Sequence, residues 1–199
     1  MLKSELTGLV IAGGKGRRMG AEKGLVQFGG KPLIMYPVGL LKQLCSTVII
    51  SANSDAFDFL ELPVITDKSQ GGGPMIGIYS GLMAASAEYV LVLSCDMPFI
   101  NTGLLQHLIN SSDGANASVA RHRGFTEPLC GIYRRDLTVT LESLIADGKF
   151  KLLAFLEEVN ARYIEIDGSL PFYNPDLFLN VNTPGDLKRA EMLIAAGAF

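Results

Sequence analysis

Short apolar runs alternate along the chain with longer segments in which apolar residues recur at helical spacing. The apolar runs of the first half are residues 6–12, 48–52, 64–66 and 89–94. The segments with helical spacing are residues 32–44, 75–87 and 102–111. The runs are apolar at nearly every position, which predicts strands buried on both faces, because crossover helices cover both sides of a parallel sheet. The pattern therefore predicts an α/β fold, an open three-layer sandwich around a mostly parallel central sheet.

The second half of the chain follows a less regular pattern. Strands are predicted near residues 116–121, 128–134 and 162–167, and helices near 136–146, near 149–159 and from 184 onward. Residues 167–182 contain glycine, proline and asparagine, which predicts a loop or short hairpin rather than a linker between domains. With 199 residues, 48% of them apolar, the chain can bury one core, and residues 1–199 are predicted to form a single domain.

The overall charge and the cysteines argue against several classes of protein. A net charge of −3 disfavours a surface that holds nucleic acid by neutralising its phosphates. The three cysteines are far apart and lie mostly in apolar runs, which predicts neither a disulfide framework nor a zinc cluster and fits a reducing cytoplasm. The first apolar run is too short to span a membrane and lacks a signal-peptide cleavage region. We therefore expect a cytoplasmic protein that binds neither membranes nor nucleic acid.

A glycine-rich, basic loop follows the first predicted strand. Gly13, Gly14, Gly16 and Gly20 allow a sharp turn that brings backbone N–H groups close to an anion. Residues 15–31 hold five basic side chains and one acidic side chain, although the whole chain is acidic. Neither the GxGxxG pattern nor the P-loop pattern fits this segment. A solvated basic turn is the alternative, but the loop lies where open α/β sheets bind ligands, which favours a phosphate site.

Asp96 lies at the carboxyl end of the apolar run 89–94. A carboxylate in that position costs free energy unless it is paired or bound to a cation. Mg²⁺ suits the position, because it prefers one or two carboxylates together with the phosphate oxygens of a substrate. The alternative is that Asp96 only fixes the turn before Pro98.

Polar residues also lie near the last predicted helix and at the end of a later strand. Thr183, Pro184 and Asp186 have the pattern of a helix N-terminus, with Thr183 as the N-cap. Asn180 and Asn182 are not needed for that helix start, and one of them is expected to face a metal or a phosphate. Arg121 could bind a phosphate, and an exposed basic turn is an equally good interpretation of it.

Six segments together carry a resemblance to a known family. They are IAGGKGRRMG at residues 11–20 followed by Lys23, GGKPLI at 29–34, GPMIGI at 73–78, SCDMP at 94–98, EPL at 127–129 and NVNTP at 180–184. In this order they resemble the sugar-phosphate-type nucleotidyltransferases, and most closely the molybdenum cofactor guanylyltransferases (MobA). The resemblance covers nearly the whole chain, and the combination is specific although each segment alone is weak.

The resemblance implies a Rossmann-like nucleotidyltransferase fold and an Mg²⁺-dependent reaction. In that reaction GMP passes from GTP to the terminal phosphate of molybdopterin, which releases pyrophosphate and forms the guanine dinucleotide form of the molybdenum cofactor. The nucleotide is expected in the half at about residues 1–100 and the acceptor in the half at about residues 101–199. Transient contact with other cofactor-assembly proteins is also expected.

The resemblance further implies roles for individual residues. The expected catalytic residues are Arg17, Lys23 and Asp96, and Asp96 is the expected metal ligand. The expected nucleotide-binding residues are Ile11, Ala12, Gly13, Gly14, Lys15, Gly16, Lys23, Ser51, Asn53, Asp67 and Asp96. The expected acceptor-binding residues are Asn180, Asn182 and Arg121. Two positions depart from the family, since Ser51 replaces the first asparagine of an Asn-x-Asn pattern and Glu22 stands where related loops often carry aspartate.

The same residues leave alternatives open. Asp67, taken alone, could equally be a turn former. A related enzyme could use CTP or another phosphate acceptor, because the choice of base depends on backbone contacts that a sequence does not display. The remaining alternative is a non-catalytic nucleotide-binding regulator on the same fold, and the presence of both Lys23 and Asp96 argues against it.

Overall fold

The computed structural model describes residues 1, 3–13, 22–66 and 73–197. The strands are Leu6–Ile11 (β1), Gln27–Phe28 (β2), Lys31–Pro32 (β3), Thr47–Ser51 (β4), Val64–Ile65 (β5), Tyr89–Ser94 (β6), Ala117–His122 (β7), Phe125–Arg134 (β8) and Arg162–Glu165 (β9). The α-helices are Met35–Leu44 (α1), Pro74–Ala84 (α2), Thr102–Ser111 (α3), Thr138–Ala146 (α4), Leu152–Glu158 (α5) and Pro184–Ala195 (α6). Short 3-10 helices lie at Lys3–Glu5, Lys23–Leu25, Asp58–Leu60 and Arg135–Leu137.

In the described residues, one seven-stranded sheet has the order β5-β4-β1-β6-β8-β7-β9. Strands β5, β4, β1 and β6 are parallel to one another, β8 is antiparallel to its neighbours β6 and β7, and β9 is parallel to β7. The carboxyl ends of β1, β4, β6 and β7 therefore lie at the same edge of the sheet. Strands β2 and β3 form a separate antiparallel pair.

Helices cover both faces of this sheet, as the apolar strands predict. Helices α1 and α3 bury their leucines against one face, and α2, α4 and α5 pack against the other. All six residues of β1 are buried because it lies between these two layers. The prediction of an open three-layer α/β sandwich with a mostly parallel sheet is confirmed.

Glycines let α2 lie very close to the sheet. A Cβ atom on Gly81 would come to 2.2 Å from Cδ2 of Leu9 in β1, and one on Gly77 to 2.7 Å from the hydroxyl of Ser51 in β4. Both distances are shorter than van der Waals contact, so a side chain at either position would push the helix away. The close packing keeps the carboxyl ends of β1 and β4 next to the first turns of α2.

A third, smaller apolar cluster connects parts of the chain that lie far apart in the sequence. It contains Phe28 of β2, Tyr36 of α1, Phe99, Val181 and Ala190 of α6, together with Leu33. The ring of Phe28 lies 5.3 Å from the ring of Tyr36 and 5.8 Å from that of Phe99. This cluster fixes α6 and the β2–β3 pair beside the loop that follows β6.

The predicted element boundaries agree with the structure to within a few residues, and two helix starts differ for a clear physical reason. Helix α1 begins at Met35 rather than 32, because Lys31 and Pro32 pair with β2. Helix α4 begins at Thr138 rather than 136, because Arg135–Leu137 forms a 3-10 helix. Residues 167–182 contain no strand or helix, so of the loop and the short hairpin that the sequence left open, the structure shows the loop. Across the described ranges, no helix combines the length and apolar character that crossing a membrane requires.

Candidate active site

Asp96 lies just beyond the carboxyl end of β6, and its side chain is only 8% exposed. The hydroxyl of Ser94 donates a hydrogen bond to Oδ1 of Asp96, and Nζ of Lys23 forms an ion pair with Oδ2. The backbone carbonyl of Asp96 accepts a hydrogen bond from the N–H of Val181 at 2.9 Å. A carboxylate this deeply buried requires such partners, because the loss of hydration is compensated only by a cation or by hydrogen bonds.

Lys23 reaches Asp96 from the short 3-10 helix that follows the glycine-rich loop. The backbone of this turn is fixed by hydrogen bonds from Leu25 N–H to the Glu22 carbonyl at 2.9 Å and from Ile34 N–H to the Gly24 carbonyl at 3.0 Å. Gly24 allows close packing, since a Cβ there would come to 2.9 Å from the ring of Phe57. The turn thus holds the Lys23 ammonium, on a side chain 19% exposed, against the end of β6.

Asn182 is the third member of this cluster. Its side-chain oxygen accepts a hydrogen bond from Nζ of Lys23, so the ammonium lies between Asn182 and Asp96. The N-terminus of α6 fixes the backbone at this point, because the carboxylate of Asp186 accepts hydrogen bonds from the N–H groups of Asn182 at 3.1 Å and Thr183 at 2.8 Å. We call Lys23, Asp96 and Asn182 the lysine cluster.

Asn180 points elsewhere. Its side-chain amide donates a hydrogen bond to the carbonyl of Phe178 at 3.2 Å, two residues earlier in the chain. Of the two asparagines that the sequence left open, the structure therefore brings Asn182 to Lys23 and Asp96. Binding of an acceptor by Asn180 stays a prediction.

The carboxyl ends of the three neighbouring strands are connected through their backbones. Ala12 N–H donates to the Ser51 carbonyl at 2.9 Å, and Cys95 N–H donates to the Ile11 carbonyl at 3.1 Å. Ile11 and Ala12 are buried and Gly13 is exposed, so the chain leaves the sheet at Gly13. The expected catalytic residue Arg17 lies outside the described residues, and so do the expected nucleotide-binding residues Gly14, Lys15, Gly16 and Asp67. Their roles stay predictions.

Ser51, Asn53 and Arg121 have different positions relative to the lysine cluster. Ser51 is completely buried beneath α2, near Gly77, whereas Asn53 is exposed beyond the end of β4. Arg121 forms an ion pair with Glu165 of the neighbouring strand β9, and its guanidinium lies 5.5 Å from the ring centre of Tyr163. The described side-chain contacts of Arg121 are therefore with β9, on the side of β7 opposite to β8.

Glu127 of β8 is a carboxylate near Asp96 that the predicted site residues did not include. Burial, and next the negative charge of Asp96, raise the pKa of Glu127 to about 7. The segment EPL at 127–129 was used to establish the resemblance, but its glutamate received no role. The sequence did contain a signal, because Glu127 is a charged residue directly before the mostly apolar strand predicted at 128–134.

These groups can bind a hard cation and phosphate oxygens. The ligand atoms available to a cation from Asp96, Asn182 and Glu127 are oxygens, which Mg²⁺ prefers. No group of three or more His, Cys, Asp or Glu residues in the described part of the chain could hold a metal by itself. An Mg²⁺ ion completed by substrate phosphate oxygens needs no such group, since one or two protein carboxylates are enough.

Comparison with known proteins shows that the chain is similar to members of one family. A family model described as the MobA-like NTP transferase domain matches residues 8–162. The chain is 34% identical to the probable molybdenum cofactor guanylyltransferase of Pelotomaculum thermopropionicum, over 95% of this chain and 93% of that protein. It is 33% identical to the protein of the same name from Carboxydothermus hydrogenoformans, over 92% and 94% of the two chains. Among solved structures it is similar to molybdopterin-guanine dinucleotide biosynthesis protein A of Archaeoglobus fulgidus, with a TM-score of 0.81, 30% identity and coverage of 96% and 99%.

Proposed function

Because the chain belongs to the family of MobA-like NTP transferase domains, we propose that it transfers GMP from GTP to the terminal phosphate of molybdopterin. The products are pyrophosphate and the guanine dinucleotide form of the molybdenum cofactor. The observation that carries the proposal is the lysine cluster, in which Lys23 contacts both Asp96 and Asn182 at the carboxyl edge of the sheet. Ligands of open α/β sheets bind at that edge.

The reaction forms one P–O bond and breaks another. An oxygen of the molybdopterin phosphate attacks the α-phosphorus of GTP, and the bond between that phosphorus and the oxygen bridging to the β-phosphate breaks. A phosphate monoester has a second pKa of about 6, so the attacking oxygen is already an anion near neutral pH and needs no general base. The remaining obstacle is the repulsion between two anionic reactants and the charge that develops on pyrophosphate.

Lys23 can reduce that repulsion. Asp96 and Asn182 hold its ammonium at the carboxyl edge of the sheet, where it can pair with a phosphate oxygen of an arriving triphosphate. The buried position of Asp96 keeps water away from one side of the ammonium, and a charge that is shielded from water acts more strongly on a phosphate oxygen. The lysine cluster is therefore suited to phosphoryl chemistry that depends on position and charge.

We also propose that the enzyme uses Mg²⁺. The oxygens of Asp96 and Asn182 already face one cationic group, the Lys23 ammonium, which supports the binding of a cation at this point. Asp96 and Asn182 would hold the ion, and when bound it would neutralise charge on the phosphate oxygens. Contact with other cofactor-assembly proteins and a cytoplasmic location stay predictions.

Release of pyrophosphate from four nucleoside triphosphates tests the substrate assignment. The purified protein is incubated with GTP, ATP, CTP or UTP, each with and without molybdopterin, in the presence of Mg²⁺. We expect release with GTP only when molybdopterin is present, and much less release with the other three nucleotides. Preference for CTP would indicate that the protein is a related cytidylyltransferase. Binding of GTP without any release of pyrophosphate would indicate a non-catalytic regulator.

A further inference from the structure

Glu127 and Asp96 lie at the same end of the β6–β8 pair. The antiparallel pairing of β6 with β8 runs from Tyr89–Arg134 to Leu93–Cys130. Asp96 comes three residues after Leu93, and Glu127 comes three residues before Cys130. The two carboxylates therefore lie just beyond the last paired residues of β6 and β8, one on each chain segment.

A local irregularity in β8 places Glu127 there. On its other side β8 pairs with β7, where Val119 is opposite Gly131 but the next residue, Ala120, is opposite Glu127. Three residues of β8, from Pro128 to Cys130, are thus accommodated between two consecutive residues of β7. Bulges of this kind bend a strand and redirect a side chain, and they are common beside active sites.

Among the residues that the structure describes, none neutralises the charge of Glu127 by direct contact. No described residue donates a hydrogen bond to its carboxylate or forms an ion pair with it, and it is half-buried. The nearby negative charge of Asp96 acts against ionisation of Glu127. The lysine cluster contributes one positive charge, and that charge is already paired with the buried carboxylate of Asp96. Two neighbouring carboxylates and a triphosphate repel one another unless a cation binds between them or one carboxylate is protonated.

We propose that Glu127 is a second carboxylate ligand of the divalent cation that Asp96 binds. This inference rests on the proposed function, because the cation belongs to the same reaction. Two carboxylates plus substrate phosphate oxygens match the ligand set that Mg²⁺ prefers. The role also explains why a half-buried position of β8, directly before Pro128 and Leu129, holds a charged side chain. Since Glu127 lies in the predicted acceptor half and Asp96 in the nucleotide half, a shared ion would join the two halves of the site.

Binding of Mn²⁺ alone tests the proposal without any measurement of activity. Mn²⁺ is titrated into the full-length protein, and the free ion is quantified by electron paramagnetic resonance. Glu127→Gln keeps the size of the side chain and removes its charge, and we expect the Kd for Mn²⁺ to rise about tenfold or more. Unchanged affinity in this variant would overturn the proposal.

Glu165→Gln is the matched control. It removes the same charge from β9, which β7 separates from β8, and there Glu165 is exposed and pairs with Arg121. We expect its affinity for Mn²⁺ to equal that of the wild type. An equal loss of affinity in both variants would show that only general charge matters, which would also overturn the proposal.

A measurement on the unaltered protein covers the case in which Glu127→Gln does not fold. Bound Mn²⁺ broadens the carbon resonances of side chains that coordinate it, so the carboxyl resonance of Glu127 should broaden far more than that of Glu165. Equal broadening would contradict the proposal. If the wild type transfers GMP but Glu127 is not involved in Mn²⁺ binding, only this inference fails, whereas absence of GMP transfer by the wild type would refute the proposed function itself.

Discussion

At the scale of single residues, Lys23 connects two parts of the chain that are far apart in the sequence. One ammonium contacts a carboxylate 73 residues away and an amide oxygen 159 residues away along the chain. Loss of this ammonium leaves Asp96 buried without its counter-charge, which is costly even when the pair itself contributes little net stability. The same loss removes a positive charge that is held in place for the triphosphate.

We expect Lys23→Ala to lower kcat/KM for GTP by a factor of about 10² or more, because one preorganised charge is lost from the transition state. Lys188→Ala, which removes an exposed lysine from α6, provides the control and should retain wild-type kinetics. Steady-state pyrophosphate release measures both. Wild-type kcat/KM in Lys23→Ala would remove Lys23 from the catalytic residues.

A second readout separates charge from folding in Lys23→Ala. A divalent cation can replace the missing positive charge beside Asp96, whereas it cannot repair a damaged core. Addition of Mg²⁺ should therefore raise the melting temperature of Lys23→Ala more than that of the wild type. An equal rise in both proteins would indicate that Lys23 and the cation do not share the Asp96 carboxylate.

At the scale of secondary-structure elements, the N-terminus of α6 positions Asn182. The hydroxyl of Thr183 accepts a hydrogen bond from the N–H of Asp186 at 3.1 Å, and the Asp186 carboxylate accepts from the backbone of Thr183 and Asn182. This reciprocal arrangement is a capping box. It fixes the direction in which the chain enters the helix, and with it the direction of the Asn182 side chain.

Thr183→Ala should reduce the free energy of unfolding by about 1 kcal/mol, the usual effect of losing an N-cap side chain. Urea denaturation measures this difference. Thr140→Ala within α4 is the control, and it should be neutral or slightly stabilising, because alanine favours helix interiors. If Thr183→Ala is as stable as the wild type, the capping box does not stabilise α6.

Elements with a clear local pattern could be predicted from the sequence, and very short ones could not. Strand β6 and helix α3 were predicted with their observed boundaries, because apolar spacing alone defines them. The β2–β3 pair was missed, since each strand has two residues and the pair depends on a turn in which Gly29 and Gly30 have φ values of 55° and 82°. Such a turn needs glycine, but the sequence does not show which residues pair across it.

Site residues could be predicted from the sequence only where a reactive side chain directly follows a recognisable apolar strand. Asp96 could be found because a carboxylate follows a fully apolar strand. Glu127 could not be given a role, because its relation to Asp96 depends on the pairing of β6 with β8 and on an irregularity in β8. Arg121 lies opposite Glu165 in the register of β7 and β9, and that register is a property of the sheet rather than of the local sequence.

At the scale of the whole molecule, the fold brings three distant parts of the chain to one edge of the sheet. The turn after the first loop supplies Lys23, the end of β6 supplies Asp96, and the start of α6 supplies Asn182. The apolar cluster around Phe28 packs the first and third of these parts together, and Val181 is bonded to the backbone of Asp96. The lysine cluster therefore exists only in the folded chain.

Transfer of a radiolabelled α-phosphate from GTP to molybdopterin tests most directly whether this assembled cluster is the catalytic centre. The assay compares the wild type with Asp96→Asn and with Asp147→Asn, a control that removes an exposed carboxylate paired with Lys149. We expect labelled guanine dinucleotide cofactor from the wild type and from Asp147→Asn, and none from a folded Asp96→Asn protein. Label transfer at the wild-type rate by Asp96→Asn, in the presence of Mg²⁺, would contradict the account.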